Sequence, residues 1–162
     1  MNLTLLEFLH YAEEEQARWH EWFRKNGDDA LRIPYPGDLH TSVDAALKHS
    51  FGSELWFAET IGGTPLTDWW SDPPDSYERL FTHGTRAKAL IGLILERFTP
   101  EDWSRAVELK SPQVTLKVTA RKALANALMH EIRHWAQVAV LVRQHGIAPP
   151  GSADLILSGA LD

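Results

Sequence analysis

Apolar residues recur along the chain at three- and four-residue steps in four long stretches, the period that predicts four amphipathic helices. In "LLEFLHYAEEEQARWHEWF", Leu5, Leu9 or Phe8, Ala12, Gln16, Trp19 and Phe23 share a face, giving a helix over roughly 2–25 that ends near Asn26-Gly27. The turn-rich "GDDALRIPYPGD" follows, after which Thr41 or Ser42 can cap a helix over 41–61, closed by "GGTP". Asp75 or Ser76 is placed to cap a third over 76–98, with "TP" as its stop. The pattern then changes to "AVELKSPQVTLKVT", whose alternation on either side of Ser111-Pro112 predicts a small hairpin over 105–118. Thr119 can cap the last helix, over 120–145, which Gly146 stops. The expected fold is all-α: a four-helix bundle with a short β-hairpin before the last long helix, residues 1–162 forming one domain.

Composition leaves this picture unchanged and removes several function classes. The 162 residues are 44% hydrophobic and 23% charged, the balance of a soluble globular protein that can bury a core without disulfides or a structural metal. A formal charge of -6 and the lack of any Lys/Arg run oppose nucleic-acid binding through phosphates. With no cysteine, disulfides, thiolate ligands and a cysteine nucleophile are excluded together, so any metal must sit on nitrogen and oxygen. Four acidic residues precede the first basic one, the N-terminal apolar run is too short for a signal peptide, and no stretch approaches a membrane span. A cytoplasmic protein without membrane association is expected.

The candidate chemistry lies in "HEIRHW", residues 130–135, which has the H-E-x-x-H spacing of zinc proteases. Two histidines leave a catalytic metal one protein ligand short, and the chain lacks the H-x-x-G-x-x-H extension that would supply it nearby. On the last helix Ala123, Ala127, His130, His134, Gln137 and Leu141 fall on one inward line. On the second, the corresponding line is Ser42, Ala46, His49, Ser53, Trp56 and Thr60. His49, His130 and His134 at similar height in a bundle would make a three-nitrogen site with positions left open for water or substrate. The competing interpretation of each is a hydrogen-bonded core histidine, but burying three imidazoles without partners costs about 1–3 kcal/mol for each unsatisfied group, and a metal removes much of that penalty. Glu131 then reads as a carboxylate behind the ligands or at the solvent edge rather than as a protease base.

The order and separation of these motifs resemble the DinB superfamily, whose pattern is one histidine in helix two and an H-x-x-x-H pair in helix four. Here those are "LKHSFGSELWF" around His49 and "LMHEIRHWAQVAVLVRQHGIAPP" around His130 and His134, and the likeness takes in the hairpin and the "LVRQHGIAPP" ending. One departure is Trp135-Ala136-Gln137 where the family often has Arg-Gly-Gln. The resemblance implies a metal site on His49, His130 and His134; three imidazoles accept zinc, nickel, iron or copper, and a divalent ion, zinc or nickel ahead of iron, is the expected cofactor. The resemblance also implies chemistry of two kinds, since relatives include thiol-dependent S-transferases and a mycothiol-dependent maleylpyruvate isomerase.

A metal-dependent enzyme that transfers a low-molecular-weight thiol is therefore the first expectation, its small-molecule substrate unnamed and its thiol supplied from outside a chain without cysteine. A metal-dependent hydrolase and a non-catalytic, stress-associated metal-binding bundle are the alternatives. His83, on the line Leu80, His83, Ala87, Leu90 and Ile94, is a candidate fourth ligand or pocket base, while His10, His20 and His40 are expected at the surface or in loops. Trp56, two turns along the His49 line, is the expected pocket wall. The adjacent Trp69 and Trp70 in a loop suggest an exposed aromatic patch, which together with the family's frequent dimers predicts a homodimer.

Overall fold

Thr4 opens the first helix, α1 (Leu5–Asn26): its hydroxyl accepts from the Glu7 amide while the Glu7 carboxylate accepts from the Thr4 amide, a reciprocal cap that fixes the start three residues later than apolar periodicity suggests. Gly27, at φ 74°, closes it. Helix α2 (Val43–Gly62) begins after Ser42, and α3 (Tyr77–Arg97) begins at Ser76, whose hydroxyl caps the Arg79 amide. A short helix not anticipated from the sequence, α4 (Pro100–Ser104), follows at once. The "TP" that ends α3 also begins it, because Thr99 and Asp102 form a second reciprocal cap with proline in the first turn. Strands β1 (Ala106–Lys110) and β2 (Thr115–Thr119) pair antiparallel, and Thr119 caps α5 (Ala120–Gln144) through the Lys122 amide.

The computed structural model describes residues 3–36, 41–71, 76–110, 114–151 and 154–161; His40, Asp75 and the Ser111-Pro112 turn lie outside them. Both α1 and α2 pack against α3 and α5. The four long helices thus form a square in which α1 lies diagonal to α2, and α3 diagonal to α5. None of the described helices is long and apolar enough to cross a membrane.

Two apolar clusters fill the bundle. One gathers Trp19, Phe23, Phe51, Phe81 and Trp135, with the Trp19 and Trp135 rings stacked at 5.1 Å. The other gathers Leu9, Ala58, Ile91, Leu124 and Leu128 with Val107 and Leu109 of the hairpin. Between Phe51 and Ala58, Phe81 and Ile91, and Leu128 and Trp135, the helices α2, α3 and α5 each contribute one buried charge, namely Glu54, Lys88 and Glu131. An ionic layer therefore divides the core.

The buried face of α2 runs through Val43, Leu47, Phe51, Glu54, Ala58 and Ile61, so it is rotated from the line drawn through His49 and Trp56. Two glutamates cause the discrepancy. Glu54 and Glu59 are 0% and 1% exposed, so a face that reads as polar is in fact interior. His49 sits at the edge of that face, half-buried, where it can be reached from outside.

Candidate metal centre

The seam between α2 and α5 brings His49, His130 and His134 together, with one ring nitrogen from each lying within 4.8 Å of the others. The ring centroids are 5.1 Å apart for His49 and His130, 5.3 Å for His49 and His134, and 4.5 Å for the pair on α5. The Nε2 atoms of His130 and His134 are 3.3 Å apart. At that separation one ring can donate to the other, or both can direct lone pairs at a cation between them. Two ligands of a tetrahedral ion with bonds of about 2.0–2.1 Å are themselves about 3.3 Å apart, so the pair fits a metal as it stands. His134 is 8% exposed while His49 and His130 are half-buried, which gives the cluster a closed side and an open one.

His83 lies half-buried on α3 and is not one of the converging three. His10 and His20 are exposed; His20 leans on Phe81 at 4.8 Å between centroids. His145 caps the end of α5, its Nδ1 2.9 Å from the Leu141 carbonyl oxygen. Gln137 is exposed rather than inward, because the buried face of α5 is centred on Leu128, Glu131, Trp135 and Val138.

Glu131 is fully buried and not at the solvent edge. One of its oxygens accepts from the Lys88 ammonium and the other from Trp135 Nε1 at 3.1 Å. Lys88 also donates to both oxygens of Glu54, at 2.6 and 2.7 Å. Burial pushes the Glu54 carboxyl up to about 8, helped by the Glu131 charge and opposed by Lys88. Burial works against the Lys88 ammonium too, but the two carboxylates outweigh it and raise its pKa. With a proton on Glu54 the layer is neutral, the state that a low-dielectric interior favours. Helical periodicity alone does not reveal this network, yet its sign is in the sequence: Phe81, Gly84, Lys88 and Ile91 share a stripe, and a cation in an apolar stripe needs a buried partner.

The aromatic ring beside the cluster is Trp70, 6.4 Å from His49 between centroids and 63% exposed. Trp56, the expected wall, instead stacks edge-on to Phe57 and packs on the hairpin-side cluster. Gly63 at φ 67° turns the chain back after α2, and the following loop descends the helix it has just left. Thr67 donates its amide and hydroxyl to buried Glu59, at 2.8 and 2.6 Å. Trp69, 5% exposed, covers Gly52, and the Trp70 carbonyl accepts from Lys48 Nζ at 2.7 Å. Residues 59, 52 and 48 lie at helical steps along one side of α2, so this zipper ends beside His49.

The DinB family model matches residues 1–157. The chain belongs to the DinB family. Its fold is similar to the crystal structure of a DinB-like protein, YjoA, from Bacillus subtilis, with a TM-score of 0.62 and 23% identity over 93% of this chain and 96% of that one. No curated protein matches it in sequence. A groove of about 1120 Å³ lies at the other end of this DinB bundle, lined by Leu3, Leu6, Leu95, Trp103 and Arg121 among others and by none of the three histidines.

Proposed function

We propose that this DinB protein is a divalent-metal-dependent enzyme that transfers a low-molecular-weight thiol to a small electrophile, with His49, His130 and His134 holding the metal. The observation that carries the reading is the convergence of three imidazole nitrogens within 4.8 Å on the seam of two helices, open on one side. A bound divalent ion would supply Lewis acidity, favouring the thiolate form of a thiol or lowering the pKa of water to about 7. The chain contributes the rest. α5 fixes two ligands one turn apart and α2 brings the third. Since the chain has no cysteine, the sulfur must arrive on a cosubstrate. Zinc and nickel suit three neutral imidazoles, with iron as the other choice.

The partly open cluster supports catalysis over a purely structural metal, which side chains would seal. Hydrolysis would use the same residues. Elemental analysis of untagged protein, calorimetric titration with zinc and nickel, and a screen of small thiols against electrophiles test the reading. Stoichiometric metal, lost with His49→Ala, and thiol-dependent turnover are expected. A His49→Ala protein that binds either metal as tightly as the parent would overturn the three-histidine site, and turnover that ignores thiol would favour the hydrolase.

A further inference from the structure

Trp70 combines two properties that rarely occur together: it is 63% exposed, and it is held rigidly. Its ring stacks on Trp69 at 3.9 Å and 28°. Trp69 is itself immobilised, because it occupies the space over Gly52 where a Cβ would come within 2.0 Å of the indole. The Lys48 ammonium fixes the Trp70 carbonyl, and Thr67 fastens the loop to Glu59 further up the helix. An indole that keeps most of its surface in water gains little from burial, so the three anchors do more than pack this ring. What they accomplish is to hold a flat apolar surface beside the open side of the histidine cluster, 6.4 Å from His49. Such prearranged rigidity lowers the entropy lost when a ligand settles against the ring.

We propose that Trp70 is a specificity-determining wall of the histidine site, selecting small molecules that join an anionic donor atom to a planar, apolar body. With a divalent ion held by the three histidines, the donor would take the remaining coordination position. The flat body lies against the indole. This inference rests on the metal-site reading above, and it narrows the substrate class from any small thiol to one carrying, or reacting with, an aromatic or similarly flat group.

The test uses the full chain loaded with Co²⁺, whose visible absorption reports on ligands entering the metal, and two probes with the same donor head, acetohydroxamate and benzohydroxamate. The parent should bind benzohydroxamate roughly tenfold tighter, as expected for one added aromatic contact. Trp70→Ala should bring the ratio close to one, with cobalt and acetohydroxamate affinities unchanged, and Trp70→Phe should restore most of it. Benzohydroxamate should also quench tryptophan emission in the parent. An equal ratio in the parent and Trp70→Ala would overturn the wall and leave the metal site standing. Failure of the parent to take up cobalt would overturn both. If Trp70→Ala converts a dimer to a monomer, as read by mass in solution, the ring belongs to an interface between copies and the wall is likewise excluded.

Discussion

His130 Nε2 stands 3.3 Å from His134 Nε2, one helical turn away on α5. A single helix sets this spacing, which fits a shared cation, and the third nitrogen of the cluster comes from a different helix. Replacing His130 with alanine should lower zinc affinity roughly a hundredfold or more, since even outer partners of a ligand are worth 10–100-fold. The helical circular-dichroism spectrum should be unchanged, because packing rather than coordination stabilises the bundle. His20→Ala, on an exposed position of α1, should alter neither. Calorimetry on the three proteins checks this, and equal affinity of parent and His130→Ala would remove the pair from the site.

Lys88 is a cation held between two buried carboxylates, Glu54 and Glu131. Lys88→Met would leave both without it, and removing one partner of a buried ion pair costs about 3–5 kcal/mol. Urea unfolding should show a loss of that size. Combining it with Glu54→Leu and Glu131→Gln should recover much of the loss, since the charges that needed Lys88 are then gone. A Lys88→Met protein as stable as the parent would show that the carboxylates accommodate each other by sharing a proton.

The raised Glu54 carboxyl, at about 8, makes stability depend on pH. An unfolded glutamate titrates at about 4.3, so between these values the folded chain holds a proton that the unfolded chain releases. Glu54's contribution is thus complete below about 4.3, falls as pH rises and is lost by about 8. Lys88, raised for the opposite charge, keeps its contribution through neutral pH and loses it only above the ordinary lysine value of about 10.4. In chelator-treated protein, unfolding free energy should decline between about pH 5 and 8 more steeply for the parent than for Glu54→Gln. Parallel profiles would mean that Glu54 is ionised throughout.

Gly52→Ala should uncouple the loop from α2. The new Cβ would meet the Trp69 indole at 2.0 to 2.3 Å, and a ring stacked on its neighbour has no flexible end to move aside. Overpacking of this kind costs about 1–3 kcal/mol. Red-shifted tryptophan emission should accompany it as Trp69 becomes exposed, and the preference for benzohydroxamate should fall with it. Unchanged emission would place the anchorage elsewhere.

Periodicity is enough to locate the four long helices, because long apolar stripes and the hydroxyl caps at Ser76 and Thr119 are local signals. It also brought His130 and His134 onto one face and paired them with His49, whose ring nitrogen does meet theirs. It failed where burial and polarity part company. Glu54 and Glu59 are interior because Lys88, Thr67 and Arg86 satisfy them from other segments, and a period computed on one helix contains no record of those partners. Trp70 was out of reach for a related reason: its place beside His49 depends on a loop that folds back along α2. Helix α4 was legible in principle, since Thr99-Pro100-Glu101-Asp102 is a complete start signal hidden behind a stop.

The ionic layer also works as a gauge of height. Apolar side chains tolerate sliding, since one leucine can take another's place, so a bundle with a uniform core lets its helices slip by a turn at little loss. Here a one-turn slip of α5 would draw Glu131 away from Lys88 and seat a carboxylate among hydrocarbon, which the interior punishes heavily. Glu131 directly follows His130, and Glu54 lies five positions after His49. The salt bridges that join α2 to α5 through Lys88 therefore set the level at which the third histidine meets the other two, and the bundle acquires a single rung on which its nitrogens can align.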